Sequence, residues 1–399
     1  MTITVAVTGG IGAGKSTVSG LLSARGAVVV DSDQLAREVV GPGTPGLAAV
    51  VDTFGASVRA PDGSLDRSAL ASIVFADVSA RRRLEAITHP AIRARFTELQ
   101  AAAPRGSVVV NDIPLLVSRS AAAAFHLVIG VGAPEATRLA RLVGRGMSES
   151  DARSRIAAQI SDDERRLLCD VWVDNSKGPG EVRKRADLVW SRLADFAANV
   201  EAGRPASRGG PVLVPYRADW PAQADRLVAR LHHLLGPDIR VDHIGSTAVP
   251  GLAATDVIDL QVGVPDLDTA DDLADLLTGG GFPLVPGGVQ NTVPAFTAGT
   301  SDQQQGGQRM HANADPGRTV NLYLRVRDSP HWPFALRLRD WLRADPAGAQ
   351  DYLVIKRLLA ERCAGDTSTD GYAMSKADLL EEADRRSATW AAASGWQPV

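Results

Sequence analysis

The sequence is poor in cysteine, lysine and aromatic residues, and it has no long apolar run. Only 2 of its 399 residues are cysteine, and 5% are aromatic. Cys169 and Cys363 are too few for a disulfide framework and too far apart for a zinc-binding spacing. The longest nearly apolar stretch, residues 121–133, is shorter than the roughly 20 residues of a transmembrane helix. These absences argue against a disulfide-stapled domain and against a membrane-spanning chain.

The charges are nearly balanced. There are 43 basic and 46 acidic residues, a net charge of −3, which gives no reason to expect nucleic acid or an anionic membrane as a partner. The first ten residues lack the basic region and the cleavage site of a secretory signal. We therefore expect a cytoplasmic protein that binds neither nucleic acid nor membrane. The sequence leaves its oligomeric state open.

The first 200 residues alternate short β-branched runs with helical patterns. The runs cover residues 2–8, 27–31, 107–112, 127–131 and 170–174. Such runs, separated by helices, are typical of βαβ units around a parallel sheet covered on both faces. Three glycines and two prolines then stand among polar residues, as in a linker. We predict an α/β domain with a parallel sheet flanked by helices at 1–200, a linker at 201–211 and a second domain at 212–399.

A glycine-rich loop, GGIGAGKST, follows the first run and matches the pattern G-x-x-x-x-G-K-[ST]. Its lysine is the only one in the first 176 positions. Glycines let backbone N–H groups turn toward phosphate oxygens, the lysine reaches the outer phosphates, and the serine hydroxyl faces Mg²⁺. Chance would give about 0.005 matches in this composition. We predict a nucleoside triphosphate site formed by Gly10, Ile11, Gly12, Ala13, Gly14, Lys15, Ser16 and Thr17.

Carboxylates close the second and third runs, where parallel strands meet ligands at one sheet edge. At the second run, Asp31 and Asp33 can orient or deprotonate an acceptor hydroxyl, or cap the helix that follows. We expect Asp33 to be the base. At the third run, Asp112 stands where such folds place a Mg²⁺ carboxylate, although a turn aspartate before Pro114 is the competing account. We predict that Ser16 and Asp112 hold Mg²⁺.

Arginines concentrate after the fourth run. Spacings of three and four place Arg138, Arg141 and Arg145 on one helix face, and Gly144 and Gly146 offer hinges before the next helix. A helical lid of this kind can close over a transferring phosphoryl group and neutralise its charge. Arginine-rich faces are also often merely solvated. We predict the lid.

The motifs of the first half, in their order, resemble the dephospho-coenzyme A kinase family. They are TGGIGAGKS, D-x-D followed by LAREVV-x-PG (31–43), His89-Pro90 in a helix, DIPLL (112–116), RxxRLxxRG (138–146) and D-x-W-x-DNS (170–176). That family transfers the γ-phosphate of ATP to the ribose 3′-hydroxyl of dephospho-coenzyme A, the last step of coenzyme A synthesis, with Mg²⁺. The resemblance implies that Lys15 holds ATP, Asp33 is the base and Arg141 or a neighbour is catalytic. It places His89 and Leu115 on the acceptor side.

Proteins with two other functions would share these sequence features. A kinase for another small molecule or for a nucleoside monophosphate would have the same loop, aspartate pair and lid. A regulatory NTPase would hydrolyse ATP slowly without an acceptor. Family members often have a glutamate after DIPLL, where this chain has Val117, so a role for that acid stays open here.

The second half carries other motifs. Ser246 of a Gly-Ser turn and Asp259 on an apolar strand are similar to the nucleotidyltransferase pattern, although Gln261 replaces its second metal-binding carboxylate. The motifs VPYxxxWP, HIGSTAVPGL, VIDLQV, RMHA and RDWLRADPxxxxxY resemble the GrpB-like family of unsettled function. The resemblance implies an α+β nucleotidyltransferase-like domain. We expect a structural or regulatory role, with His243, His311 and Lys356 in internal polar contacts. Ligand binding and an independent activity stay open.

Overall fold

The computed structural model describes residues 1–287, 307–327, 329, 331–366 and 370–398. The chain divides into two compact units. What we call the first unit comprises Thr2–Val117 and Leu127–Trp190, and the second unit comprises Met1, Ser118–His126 and Ser191–Val399.

The first unit is built on a parallel sheet. In spatial order β2-β3-β1-β4-β5, its strands are β1 (Ile3–Gly9), β2 (Val28–Asp31), β3 (Val108–Asp112), β4 (Leu127–Gly132) and β5 (Val171–Asp174). The residues of β1, β3 and β4 are buried throughout, as expected for strands covered on both faces. The predicted strands are confirmed to within one residue at each end, and so is the predicted α/β class.

Helices surround this sheet. They are α1 (Lys15–Ser23), α2 (Ser32–Glu38), α3 (Pro45–Phe54), α4 (Arg67–Ala76), α5 (Val78–Ala102), α7 (Glu135–Val143), α8 (Glu149–Ala157), α9 (Asp162–Arg166) and the first part of α10 (Pro179–Glu201), while the short α6 (Arg119–Ala122) belongs to the second unit. Helix α8 begins after Ser148, whose hydroxyl accepts a hydrogen bond from the Asp151 N–H at 3.1 Å. The two helices predicted for the lid are therefore present as α7 and α8.

The second unit contains a mixed sheet in the order β10-β11-β9-β7. Its strands are β7 (Val241–Ile244), β9 (Val257–Val264), β10 (Gln308–Ala312) and β11 (Thr319–Val326), with β6 (Leu213–Val214) and β8 (Ala254–Thr255) as a separate pair. Strands β9 and β11 are parallel, whereas β7 and β10 run antiparallel to their neighbours. The predicted α+β class is confirmed.

The helices of the second unit bury one face against this sheet or against one another. They are α11 (Trp220–Leu235), α12 (Leu267–Asp272), α13 (Ala274–Gly279), α14 (His331–Ala344), α15 (Pro346–Arg362), α16 (Asp370–Ser375) and α17 (Ala377–Ser394). Helix α11 contributes the fully buried Trp220 and Leu231 to a core that includes Ile258 and Leu260 of β9. This packing fixes β9, the strand that carries Asp259.

The second unit also includes chain that precedes residue 212. In the last part of α10, Arg192 forms two hydrogen bonds with the carboxylate of Asp315, at 2.7 and 2.6 Å. Within the segment predicted as a linker, the Arg208 guanidinium donates to the backbone oxygen of Val320 at 3.1 Å. Residues 201–211 are therefore bound to the second unit by specific contacts.

Two further features bear on the composition. Among the described residues, every helix is too short or too polar to cross a membrane. Within the described residues, neither Cys169 nor Cys363 forms a disulfide bond.

Candidate active site

The loop between β1 and α1 lies at the carboxyl end of the central strand. Gly14 caps α1 with φ +97°, in the left-handed region, and a side chain at this position would collide with the amide of Asn175. Helix α1 then begins at Lys15 and directs its positive end toward the loop. The predicted nucleotide-binding residues, from Gly10 to Thr17, all belong to this loop or to the first turn of α1.

Arg138 of α7 holds one side of the loop. Its side chain is almost completely buried, and its Nε donates to the backbone oxygen of Ile11 at 2.9 Å. The backbone N–H of Ile11 in turn donates to Oε1 of Gln159 at 2.8 Å. A carboxylate oxygen of Asp162 lies 4.0 Å from the Arg138 guanidinium and compensates its charge. Both backbone polar groups of Ile11 are therefore bound by side chains.

Arg141, one turn further along α7, holds the other side. Its Nη1 donates to the backbone oxygens of Gly12 and Ala13 at 3.3 and 3.2 Å, and its Nη2 donates to that of Asn175 at 2.9 Å. The side-chain amide of the buried Asn175 also donates to the Ala13 oxygen, at 2.7 Å. These carbonyl groups point toward α7 and Asn175. Two loop N–H groups are also bound within the protein, that of Ile11 to Gln159 and that of Ala13 to the Gly10 oxygen at 3.0 Å, so it is the N–H groups of Gly12 and of residues 14–16 that can face a bound anion. Arg145, by contrast, lies beyond the end of α7 and is exposed.

Lys15 and Asp112 form an ion pair beside the loop. Asp112 is buried at the end of β3, where its Oδ2 accepts a hydrogen bond from the Ser19 hydroxyl at 2.8 Å. Burial lowers the pKa of Lys15, while the negative charges of Asp33 and Asp31 raise it. The lysine is thus held at the loop by carboxylates with which a phosphate group would compete.

The two aspartates after β2 have different surroundings. The Asp31 carboxylate caps α2, because its Oδ1 accepts hydrogen bonds from the N–H groups of Asp33 and Gln34 at 2.8 and 3.2 Å. Asp33 lies in the first turn of α2 and is exposed, close enough to Lys15 for its charge to raise the lysine pKa. The capping role that the sequence left open therefore falls to Asp31.

The residues expected on the acceptor side lie on two elements. His89 is exposed on α5, directly before Pro90 inside that helix. Leu115 is 67% exposed in the turn after β3, whereas the neighbouring Leu116 is buried. An exposed leucine beside a buried one is available to a bound molecule, and it follows directly from the strand that carries Asp112.

The oxygen groups near Lys15 suit Mg²⁺. Ser16 is exposed in the first turn of α1, and Asp112 supplies a carboxylate. Within the described part of the chain, no group of three or more His, Cys, Asp or Glu side chains could hold a metal by itself. Mg²⁺ usually binds through one or two carboxylates, several waters and the substrate phosphates. The donor set therefore fits a magnesium ion that arrives with a nucleotide.

Two residues of this site had no role predicted from the sequence, Asn175 and Gln159. Asn175 follows β5 in a DNS triplet, a signal that pointed to the position but not to its contact with the loop. Gln159 is 148 residues from Ile11 along the chain, and no sequence pattern indicates their contact.

In the second unit, the residues expected in internal contacts make them. Nε2 of His243 lies 3.0 Å from the Thr247 hydroxyl, and Nδ1 of the buried His311 lies 2.9 Å from a backbone oxygen. Lys356 donates a hydrogen bond to the Ser246 hydroxyl at 2.7 Å.

Both halves of the chain match known families. Residues 3–180 match the family described as dephospho-CoA kinase, and residues 211–386 match the family described as GrpB protein.

Some relatives correspond to the whole of this chain, and others correspond only to its first half. A dephospho-CoA kinase of Mycolicibacterium paratuberculosis is 47% identical over 408 residues, with 99% of each chain covered. One from Mycobacterium tuberculosis is 46% identical over 411 residues, again with 99% of each chain covered. A third, from Streptomyces avermitilis, is 52% identical over 194 residues, which are 48% of this chain and 95% of that relative. The Streptomyces relative therefore consists almost entirely of the part that corresponds to the first half.

Proposed function

The chain belongs to the dephospho-coenzyme A kinase family, and from that premise we propose how its residues carry out the transfer. The enzyme uses ATP to phosphorylate the ribose 3′-hydroxyl of dephospho-coenzyme A, the last step of coenzyme A synthesis. The observation that carries the proposal is the loop from Gly10 to Gly14, in which the carbonyl groups of residues 11–13 are bound by Arg138, Arg141 and Asn175.

The loop binds the phosphates of ATP. With three of its carbonyl groups held by side chains, the N–H groups of Gly12 and Gly14 and the start of α1 surround the outer phosphates. Lys15 exchanges part of its contact with Asp112 for phosphate oxygens and stabilises the charge that develops during transfer. Ser16 and Asp112 would hold Mg²⁺, which supplies further neutralisation between the phosphates when bound.

Asp33 acts on the acceptor. Its exposed carboxylate accepts the proton of the ribose 3′-hydroxyl as that oxygen attacks the γ-phosphorus and ADP leaves. Asp31 keeps the helix start in place, which fixes the position of Asp33 in the first turn. His89 and Leu115 contribute to the pocket for the rest of the acceptor.

Arg141 is the catalytic arginine of the predicted lid in this proposal. Its guanidinium binds the backbone oxygens of Gly12 and Ala13, so its positive charge lies beside the loop that receives the phosphates. From there it stabilises the phosphoryl group in transfer, while Arg138 serves as a positioning residue for Ile11.

The second unit has a structural or regulatory role in this proposal. The Streptomyces relative supports it, because that protein bears the same name with almost no chain beyond the first half. A cytoplasmic location and the absence of nucleic-acid partners stay predictions from the sequence.

An ADP-release assay tests the proposal. Purified enzyme is given ATP and Mg²⁺ with dephospho-coenzyme A, with its 3′-deoxy analogue, with a nucleoside monophosphate, or with no acceptor. We expect stoichiometric ADP only with dephospho-coenzyme A, and ³¹P NMR should show the new phosphate on the 3′-oxygen. Equal turnover with the monophosphate would indicate another kinase, and equal turnover without acceptor would indicate an NTPase.

A further inference from the structure

The second unit contains a cluster of charged and hydroxyl side chains that the kinase reaction does not use. We call it the lysine cluster, and its members are Arg208, Ser246, Asp259, Lys356, Tyr372 and Lys376. They come from separate elements: the segment before β6, the turn after β7, strand β9, helices α15 and α16, and the residue before α17. Positions spread over nearly 170 residues of chain contribute to one place, which requires the folded second unit.

Asp259 is the carboxylate of the cluster. On the neighbouring strand Asn321 lies opposite it, and the Asn321 amide donates to Oδ1 of Asp259 at 2.7 Å. Gly245, with φ +71°, passes so close that any side chain there would collide with this carboxylate. Burial raises the pKa of Asp259, against the hydrogen bond from Asn321 and the charges of nearby cations.

Lys356 is buried beneath the Gly-Ser turn. It is only 3% exposed, and its Nζ donates to the neutral Ser246 hydroxyl at 2.7 Å. Burial, together with the charge of Lys376, lowers the pKa of Lys356 to about 7, while Asp259 opposes that shift. An ammonium group held in this way lacks the full compensation that buried charges usually have.

The cations of the cluster outnumber its carboxylate. Arg208, Lys356 and Lys376 all act on the single carboxylate of Asp259. Lys376 also lies over the ring of Tyr372, with Nζ 4.7 Å from the ring centroid. The charges of the cluster are thus complementary to an anion.

Tyr372, whose ring lies under Lys376, adds a buried hydroxyl. The residue is 2% exposed, and its hydroxyl has no hydrogen-bond partner among the described residues. Buried polar groups are nearly always paired, so a buried hydroxyl that lacks a partner among the described residues, on the ring that Lys376 covers, needs a reason. A ligand that accepts hydrogen bonds would supply the missing partner.

We propose that the lysine cluster is a binding site for a polyphosphate group, either free or carried by a nucleotide. Lysine ammonium groups and hydroxyls donate to phosphate oxygens with short, charge-assisted bonds. Lys356 forms the floor of the site, and the partly exposed Ser246, Asp259 and Lys376 leave its other side open to solvent. The inference is independent of the phosphate loop in the first unit.

The lysine cluster binds its ligand but does not catalyse a metal-dependent transfer reaction. A two-metal mechanism needs a second carboxylate beside Asp259, and Gln261 occupies that position. Gln261 is completely buried, and its Oε1 accepts a hydrogen bond from Arg325 at 3.0 Å. We therefore expect the ligand to bind equally well in EDTA.

Isothermal titration calorimetry on the full chain tests this site. Tripolyphosphate is titrated in EDTA into the parent protein, Lys356→Met and the control Lys184→Met, which changes an exposed lysine of the first unit. Because the phosphate loop also binds such anions, we expect two events per chain in the parent and in the control. In Lys356→Met we expect the second event to weaken at least 30-fold. ATP and CTP in parallel titrations distinguish a free polyphosphate from a nucleotide as the preferred ligand.

Hydrogen exchange tests whether the second binding event takes place at the lysine cluster. We expect tripolyphosphate to slow exchange in residues 244–249 of the parent and not in Lys356→Met. Tyr372→Phe removes only the unpaired hydroxyl, so it should fold normally even if Lys356→Met does not, and it should weaken the second event 3- to 10-fold. The parent titration is repeated with Mg²⁺ in place of EDTA. A single event in the parent under both conditions, or a second event that both substitutions leave unchanged, would overturn the proposal. A second event that appears with Mg²⁺ but not in EDTA would overturn its metal-free character.

Discussion

The two units each bring a lysine, a serine and an aspartate to one place, but they assemble them differently. In the first unit, Lys15 and Ser16 are adjacent in the chain and Asp112 is added by a neighbouring strand. In the second unit, Lys356 and Ser246 are 110 residues apart and meet through tertiary packing alone.

The difference lies in which groups face the anion. The first unit relies on backbone N–H groups of a glycine loop, and its lysine is balanced by a carboxylate. The second unit relies on side chains, and its buried lysine is bonded to a neutral hydroxyl. A backbone site leaves a pattern of glycines in the sequence, whereas a side-chain site assembled from distant elements leaves only scattered residues.

The largest effect is expected from Lys15→Ala, which removes the charge at the first site. Loss of one group that stabilises the transition state typically lowers kcat by about 10²–10³-fold, and we expect at least that in ADP release. Lys184→Ala, an exposed lysine of the same unit, is the matched control and should keep parental turnover. Parental turnover in a folded Lys15→Ala protein would show that the loop is not the site of transfer.

Next comes Asp33→Asn, compared with Asp31→Asn. Removing a general base lowers kcat by about 10²–10⁴-fold, so Asp33→Asn should reduce kcat with little change in the KM for ATP. Asparagine still caps a helix, so Asp31→Asn should keep kcat within a few-fold. Steady-state kinetics with both substrates varied decides between them. If Asp33→Asn changed only the KM for ATP, the residue would act on the nucleotide instead.

A smaller effect is expected from Arg138→Met, which leaves the loop without one of its supports. The backbone oxygen of Ile11 loses its donor, so the loop should bind phosphate less well, and we expect the KM for ATP to rise about 10-fold. Arg153→Met removes an exposed arginine that pairs with Glu149 on α8 and should have no such effect. Equal KM values in the two variants would show that the loop keeps its shape without Arg138.

The smallest effect concerns acid stability of the second unit. Burial, with the charges of Arg343 and Arg339, lowers the pKa of His243 to about 4, below its ordinary value of 6.5. The unfolded chain therefore takes up a proton that the folded unit does not. The contribution of neutral His243 to the free energy of unfolding is fully present above pH 6.5. It is lost as the pH falls from 6.5 toward 4, by about 1–2 kcal/mol at pH 5. Urea unfolding followed by tryptophan fluorescence at pH 7.5 and 5 measures this loss.

His243→Gln keeps a side-chain N–H near Thr247 and does not titrate in this range. Between pH 7.5 and 5, the His243→Gln variant should therefore lose about 1–2 kcal/mol less free energy of unfolding than the parent. An identical pH dependence in both proteins would mean that folding does not lower the pKa of His243.

Much of the first unit could be predicted, because its signals are local. The strands are continuous apolar runs, and the loop is a fixed pattern of glycines between a strand and a helix. The roles of Asp31 and Asp33 could not be separated, since either aspartate suits a helix start, and only the observed hydrogen bonds assign the cap to Asp31. The spacing of Arg138 suited either an inward lid face or a solvated one, and only the structure shows the side chain buried against Ile11.

The sequence by itself determined the α/β class, the five strands, the phosphate loop and the resemblance to a kinase family. These depend on periodicity and on short patterns of residue types. Both are local, because the repeat of a helix or a strand fixes which nearby residues share a face. Only the tertiary structure decided that Gln159 and Asn175 support the loop, and that Lys356 lies buried against Ser246. Burial and pairing across more than 100 residues depend on how whole elements pack, and no local pattern of residue types specifies that packing.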